Sequence, residues 1–384
     1  MAPARSPRSL QPGRAPLELP THHRIPLGWL LEHGSETVRL RTYQELAAAG
    51  TVPPETLEAA IQAVVNSKQA LAVVKKQKDN GIWGGNLLAL APSAKEGIKD
   101  IGTIPQYRRL IQLGYPRSGR PFKLADRVLY RLLSKDQDPF LQFEFAKLAK
   151  DSPASGEWAR ELMREAASAA LAEAGYLEDP RLRGSAHKIA TAVSQFLRSP
   201  LAEKPFIRVA NKAVLDPEAH PPTWYSLAMI AAMPNLQRER GGFTERLGQY
   251  LTQPAPKRAF ALMVGKRTVK SDFLLLGDPI EADSKGNAAD VPLALHFIEE
   301  LARIGALAAS PVAAKVLQRL LDDCDERGVW RPKHLKATPR ALHKVTYHSW
   351  PLSPENKSPE GRLVDVTFRL ALIAKLLGWS LEFV

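Results

Sequence analysis

The sequence predicts an all-α fold in which five to six helical hairpins build one domain over residues 27–384, behind a disordered basic tail over residues 1–26. Three observations predict it. Apolar residues recur with a helical period, the same helix-stop signature returns along the chain, and prolines fall mostly between the periodic segments.

The tail comes first. Arg5, Arg8, Arg14 and Arg24 face only Glu18, and prolines at 3, 7, 12, 16, 20 and 26 oppose a helix there. It has no apolar h-region, so it does not read as a secretory signal. From Leu27 the helical period takes over, with Val38, Leu40, Tyr43 and Leu46 on one face and Leu57, Ile61, Val64 and Val65 on another. Residues 156–174 are rich in Ala, Leu and Glu, which favour helix. No stretch alternates in the two-residue period of a strand. The helix stops fall at Gly114, Gly175, Met233-Pro234, Gly305 and Gly378, at intervals of roughly 60 to 70 residues. After the first four a second apolar helix follows, over residues 124–133, 189–197, 247–251 and 312–321. One hairpin cannot bury both of its apolar faces, whereas stacked hairpins can.

Composition narrows the partners. The formal net charge is +13, which favours an anionic partner: nucleic acid, acidic lipid, a phosphorylated small molecule or an acidic protein. A single cysteine, Cys324, excludes a disulfide within one chain and fits a reducing compartment, so a cytoplasmic protein is expected. No apolar run approaches the length of a membrane span.

One motif refines the architecture. Gln77-Lys78-Asp79-Asn80-Gly81-Ile82-Trp83 follows the apolar helix that ends at Val74, and Gly328-Val329-Trp330 is a second, degenerate copy with acidic residues where Gln would stand. Together they resemble the Gln-Trp repeat of squalene cyclases and related prenyltransferases, the terpenoid cyclase/protein prenyltransferase superfamily. That resemblance implies an α/α-toroid, with Gln77 and Trp83 structural at a turn, the Gln amide capping a helix end. It covers residues 27–384 as a pattern, and it does not fix chemistry.

The family's acid motif, Asp-x-Asp-Asp, finds only Asp323-Cys324-Asp325-Glu326, which departs at its last position and reads as a solvated loop. Zinc, which the related protein prenyltransferases bind, would have Asp322, Cys324 and one of His334, His343 and His348, but the spacing differs from the family pattern, so no metal and no cofactor are expected. Glu299/Glu300 and Asp138/Glu144 read as ordinary acids on helix faces. Gly265-Lys266 lacks the rest of a P-loop.

Two basic stretches remain. Residues 327–354 carry six Lys and Arg, three histidines and no acid, interleaved with Trp330, Tyr347 and Trp350. Arg108, Arg109, Arg117, Arg120, Lys123, Arg127 and Arg131 form the other, opposed by Asp126 alone. Arg117, Arg120, Arg331, Lys333, His343, Tyr347, His348 and Trp350 are the candidate ligand and anion contacts. The expected function is a toroid protein that binds an anionic, apolar or prenyl-type small molecule in a central cavity, as a binder or an enzyme. The alternative is a basic helical scaffold for nucleic acid or an acidic protein.

Overall fold

The computed structural model describes residues 19–90, 101–134, 138–209, 211–257, 260–264, 267–269, 272–354 and 358–384. Most of the tail, residues 1–18, lies outside them, as does Gly265-Lys266. The fold is mostly helical, with short strands that the residue pattern did not announce.

Two kinds of helix alternate along much of the chain. Those of the first kind are buried over most of their surface: α5 (Thr103–Gln112), α10 (Trp224–Ala232), α13 (Val291–Arg303) and α15 (Val364–Leu376), together with the second half of α8 (Pro153–Glu173). Those of the second kind bury one face: α3 (Pro54–Asn66), α6 (Arg120–Ser134), α9 (Pro180–Arg198), α12 (Phe243–Leu251) and α14 (Pro311–Leu321). Near the start, α1 (Leu27–His33) leads to α2 (Glu36–Arg41), which runs into a π turn at Thr42–Leu46.

The buried helices contact one another in succession. α5 packs on α8, α8 on α10, α10 on α13, α13 on α15, and α15 back on α2 and its π turn. The link from α2 to α5 is polar: Thr37 Oγ1 donates to the Leu113 carbonyl at 3.1 Å, and Arg41 Nη1 donates to Gln112 Oε1 at 2.9 Å. From the second set, α3 packs on α2, α6 and α9 on α8, and α14 on α13.

Sequence explains the helix ends. Pro153, Pro180, Pro234 and Pro311 stand at helix starts, where a missing N–H costs nothing. Ser152, Asp179 and Ser310 accept N-terminal backbone N–H groups, and Thr223 with Ser226 forms a capping box on α10. Four of the five repeated stops are one motif. Gly114, Gly175, Gly305 and Gly378 all have φ between +69° and +82°. Each donates to the carbonyl three residues back, and the next residue donates to the carbonyl five back, as at Gly175 to Ala172 and Tyr176 to Leu171. This double bond closes a helix only with a residue at positive φ, hence the glycine.

Strand β1 (His22–Ile25), within the segment expected to be a tail, pairs in parallel with β6 (Ser380–Phe383) and ties the two ends of the described chain together. A second sheet runs in the order β2 (Phe206–Val209), β3 (Lys212–Leu215), β4 (Ala261–Val264), β5 (Arg267–Val269), with β3 and β4 parallel and the other pairs antiparallel. No helix among the described residues is long and apolar enough to cross a membrane.

Candidate functional site

The Gly-x-Trp segments hold helices to their neighbours. Trp83 is buried, and its indole Nε1 donates to the Val73 carbonyl at 2.9 Å in the last turn of α4 (Lys68–Val74). The indole therefore caps that helix end, while the Gln77 amide bridges the Gly81 and Pro121 carbonyls at 3.0 and 2.8 Å and so reaches α6. Gly81, at φ +89°, lies against the backbone of Leu124, where a Cβ would come within 2.4 Å of the carbonyl oxygen. The two copies share a further bond. The Trp83 N–H donates to Thr103 Oγ1 on α5, and the Trp330 N–H donates to Thr367 Oγ1 on α15, both at 3.1 Å.

Where the buried helices meet there is a cavity of about 330 Å³. Gln112, Glu173, Ala232 and Arg303 line it, and each is the last residue of its helix, α5, α8, α10 and α13 respectively. Four helix C-termini thus open on one space, and each brings partial negative charge. Arg41 and Glu45 from α2 and its π turn, His296, Glu299 and Glu300 from α13, and Arg369 from α15 complete the polar lining, with Ala172, Gly175 and Ala228 leaving the room.

The arginines are already engaged. Arg41 holds Glu45 through two bonds, at 2.5 and 3.0 Å, and also binds Gln112. Arg369 is ion-paired with Glu299 and donates to the Ser349 carbonyl at 2.8 Å. Arg303 takes the other Glu299 oxygen at 2.8 Å. Behind the lining, Arg108 grips Glu173 with two 2.6 Å bonds. Burial works against the Glu299 charge, but Arg369, Arg303 and Arg41 outweigh it and hold the carboxyl well below the usual range.

Glu300 is the exception. It is 7% exposed, and its Oε2 has no hydrogen-bond partner among the described residues. Burial first, then the Glu173 charge, pushes its pKa up to about 8, against the pull of Arg303 and Arg108. Near neutral pH this side chain is a carboxylic acid rather than a carboxylate. Burial and the Arg108 charge lower His296 to about 3 and His348 well below its ordinary value, so both imidazoles are neutral. Glu299 and Glu300 are therefore not solvated helix-face acids. Local spacing gave no sign of this: His296, Glu299, Glu300 and Arg303 stand at i, i+3, i+4 and i+7 on α13, the spacing of an ordinary polar stripe, and the packing of α10 and α15 on this helix is what buries it.

None of the eight candidate contacts lines this cavity, and the structure places them apart. Arg117 donates to the Ala174 carbonyl at the end of α8, and exposed Arg120 pairs with Asp79 at 3.2 Å. Arg331 is held by Asp325 at 2.8 Å and Glu360 at 2.7 Å, while Lys333 is exposed. His343 caps the short 3-10 turn Lys344–His348. In that turn Tyr347 Oη donates to Gln106 at 3.0 Å, and the His348 ring packs edge-on against His296 with centroids 5.1 Å apart. Buried Trp350 donates to the Pro339 carbonyl at 2.9 Å. Two of the eight touch the lining from outside, His348 at His296 and Arg117 beside Gly175. The basic stretch on α5 and α6 is divided: Arg108 and Arg109 turn inward, and Arg109 donates to the His348 and Pro351 carbonyls.

Asp325 accepts the Arg327 and Val329 N–H groups, and Asp323 pairs with Arg319, so the aspartates of the acidic string are engaged in a turn while Glu326 is exposed. Burial, followed by the three neighbouring aspartates, pushes the Cys324 thiol up to about 12, the opposite of a metal-bound thiolate. No three His, Cys, Asp or Glu among the described residues come together as a metal site.

A second cavity, about 320 Å³, lies between α8, α9 and the β3–β4 strands, with Trp158, Leu162, Ile189, Val193, Leu262 and Leu274 in its wall. Glu165 also faces it, raised to about 7 by burial against the hydrogen bonds of Thr223 and Ser226. No family model, no curated protein and no solved structure matches this chain.

Proposed function

We propose that the chain is an α/α-toroid of five to six hairpins, organised as in the terpenoid cyclase and prenyltransferase proteins that its Gly-x-Trp segments resemble, and that it binds a small polar molecule at the ring centre. The cyclic succession α2, α5, α8, α10, α13, α15, with α3, α6, α9, α12 and α14 outside, supports the architecture. The single observation that carries the function is the 330 Å³ cavity into which four helix C-termini and side chains of six buried segments converge. A hydrocarbon chain there would have to strip water from eight charged or ionisable side chains without replacing a hydrogen bond. The lining favours a ligand with its own polar groups.

A prenyl-type or other apolar ligand is a second reading, and a different place favours it: the outer cavity walled by Trp158, Ile189 and Leu262. The two readings separate by mutation. Small molecules that raise the melting temperature of the full chain should lose that effect in Ala232→Trp, which fills the centre. Stabilisation that persists in Ala232→Trp and vanishes in Ala192→Trp would move the ligand to the outer cavity.

A further inference from the structure

We propose that the central cavity takes a small organic cation, an alkylguanidinium or alkylammonium, which ion-pairs with Glu300. The proposal rests on the reading of the cavity as the ligand site. Three observations carry it. Arg41 is ion-paired with Glu45, Arg303 and Arg369 with Glu299, and Arg108, behind the lining, with Glu173, which leaves Glu300 as the acid of the lining without an ion pair among the described residues. The arginines are spent on Glu45, Glu299, Gln112 and the Ser349 carbonyl, whereas Glu300 keeps a buried oxygen without a partner. Four helix C-termini add negative potential to the same space. A buried acid that lacks only its counter-charge, in a cavity with room for several heavy atoms, is complementary to a cation. An anion would meet arginines already bonded to Glu45, Glu299, Gln112 and the Ser349 carbonyl.

Binding exchanges one proton for one cation. Glu300 gives its proton to bulk water, and the carboxylate left behind pairs with the ligand. The charges that bear on this carboxyl are Glu173 on α8, Arg303 and Glu299 on α13 and Arg108 on α5; Arg41 and Glu45 at α2, His296 on α13 and Arg369 on α15 share the cavity lining with it. With the free carboxyl titrating at about 8, affinity for a cation of fixed charge rises about 30-fold from pH 6.5 to pH 9, and close to one proton is released per cation at pH 7.

The test is calorimetric titration of the full chain with n-butylguanidinium, whose charge does not change over this range, and with neutral n-butylurea of nearly the same shape. Two buffers of different ionisation enthalpy give the proton count. The expected result is binding of the cation with the stated pH slope, tenfold or more weaker binding of the urea, and a weak, pH-independent response in Glu300→Gln. Equal binding of the two probes, or an unchanged slope in Glu300→Gln, would overturn the proposal. If Ala232→Trp or the milder Ala232→Leu blocks both probes, the cavity reading survives such a result. Cation binding that neither variant disturbs places the ligand elsewhere and removes both readings, as does the absence of binding by either probe.

Discussion

Glu300→Gln should make this protein more stable, and increasingly so as the pH rises. A glutamate in the unfolded chain titrates near 4.5, and in the folded chain this one titrates at about 8. Its folded pKa is raised, so its contribution is full below the unfolded value and is lost as the pH climbs through 4.5 to 8. The folded state must either hold a proton that the unfolded state has released or carry a buried, unpartnered charge. At about 1.4 kcal/mol per pH unit, the penalty is about 2 kcal/mol at pH 6 and approaches about 5 kcal/mol at pH 9. The side chain is too deeply buried for solvent to screen this away. Glutamine keeps the shape and cannot ionise. For a chain of this length, 1 kcal/mol moves the melting temperature by about 1–2 °C, so the variant should melt a few degrees above wild type at pH 6 and clearly higher at pH 9. Calorimetric melts at five pH values between 5 and 9 give the curve. A difference between the two proteins that stays flat with pH would refute the reasoning, because it would mean that Glu300 ionises alike in both states.

Three further outcomes follow from the contacts described. Glu299→Gln strands Arg369, only 3% exposed, and should cost about 3–5 kcal/mol in urea unfolding, while adding Arg369→Met should recover part of that loss. Trp83→Ala should cost about 3–5 kcal/mol and Gln77→Ala about 1–2 kcal/mol, since the first empties buried volume and caps no helix while the second frees two carbonyls. Gly328→Ala would set a Cβ 2.0 Å from the Arg24 carbonyl oxygen at φ +86°, costing at least about 2 kcal/mol and speeding amide exchange in the β1–β6 pair; unchanged exchange there would count against the contact.

The helices were legible because their punctuation is physical. Gly114, Gly175, Gly305 and Gly378 recur since each ends a buried helix at positive φ, and prolines at 153, 180, 234 and 311 recur since helix starts tolerate them. The Gly-x-Trp segments were legible as turns for a similar reason. The strands were not, because three- or four-residue segments such as Phe206–Val209 are too short to show a two-residue period. Nor were the roles of the arginines. A basic stretch in sequence does not say that Arg108 and Arg109 face inward while Lys123 and Arg127, a few turns on, face water. The cavity was hidden because its polar residues come from α2, α5, α8, α13 and α15, one or a few from each, and no local spacing records that convergence.

The composition of that convergence bears on its purpose. A ring of buried helices meant only to be stable would fill its centre with Leu and Ile, since replacing buried ion pairs by packed apolar side chains is neutral or stabilising. Here the chain does fill most of its interior that way: α10 and α15 bury Leu227, Met229, Ile230, Phe368, Leu370 and Ile373. At the helix C-termini it does the opposite, placing alanines where bulk would close the space and an acid that no neighbour neutralises. Departures from core rules concentrated at one point, amid helices that otherwise obey them, are the physical mark of a site rather than of imperfect packing. Filling the centre, as in Ala232→Trp, must abolish ligand binding, and neutralising Glu300 must gain stability while losing it; a variant that gained stability and still bound the cation would separate the two properties that this reasoning joins.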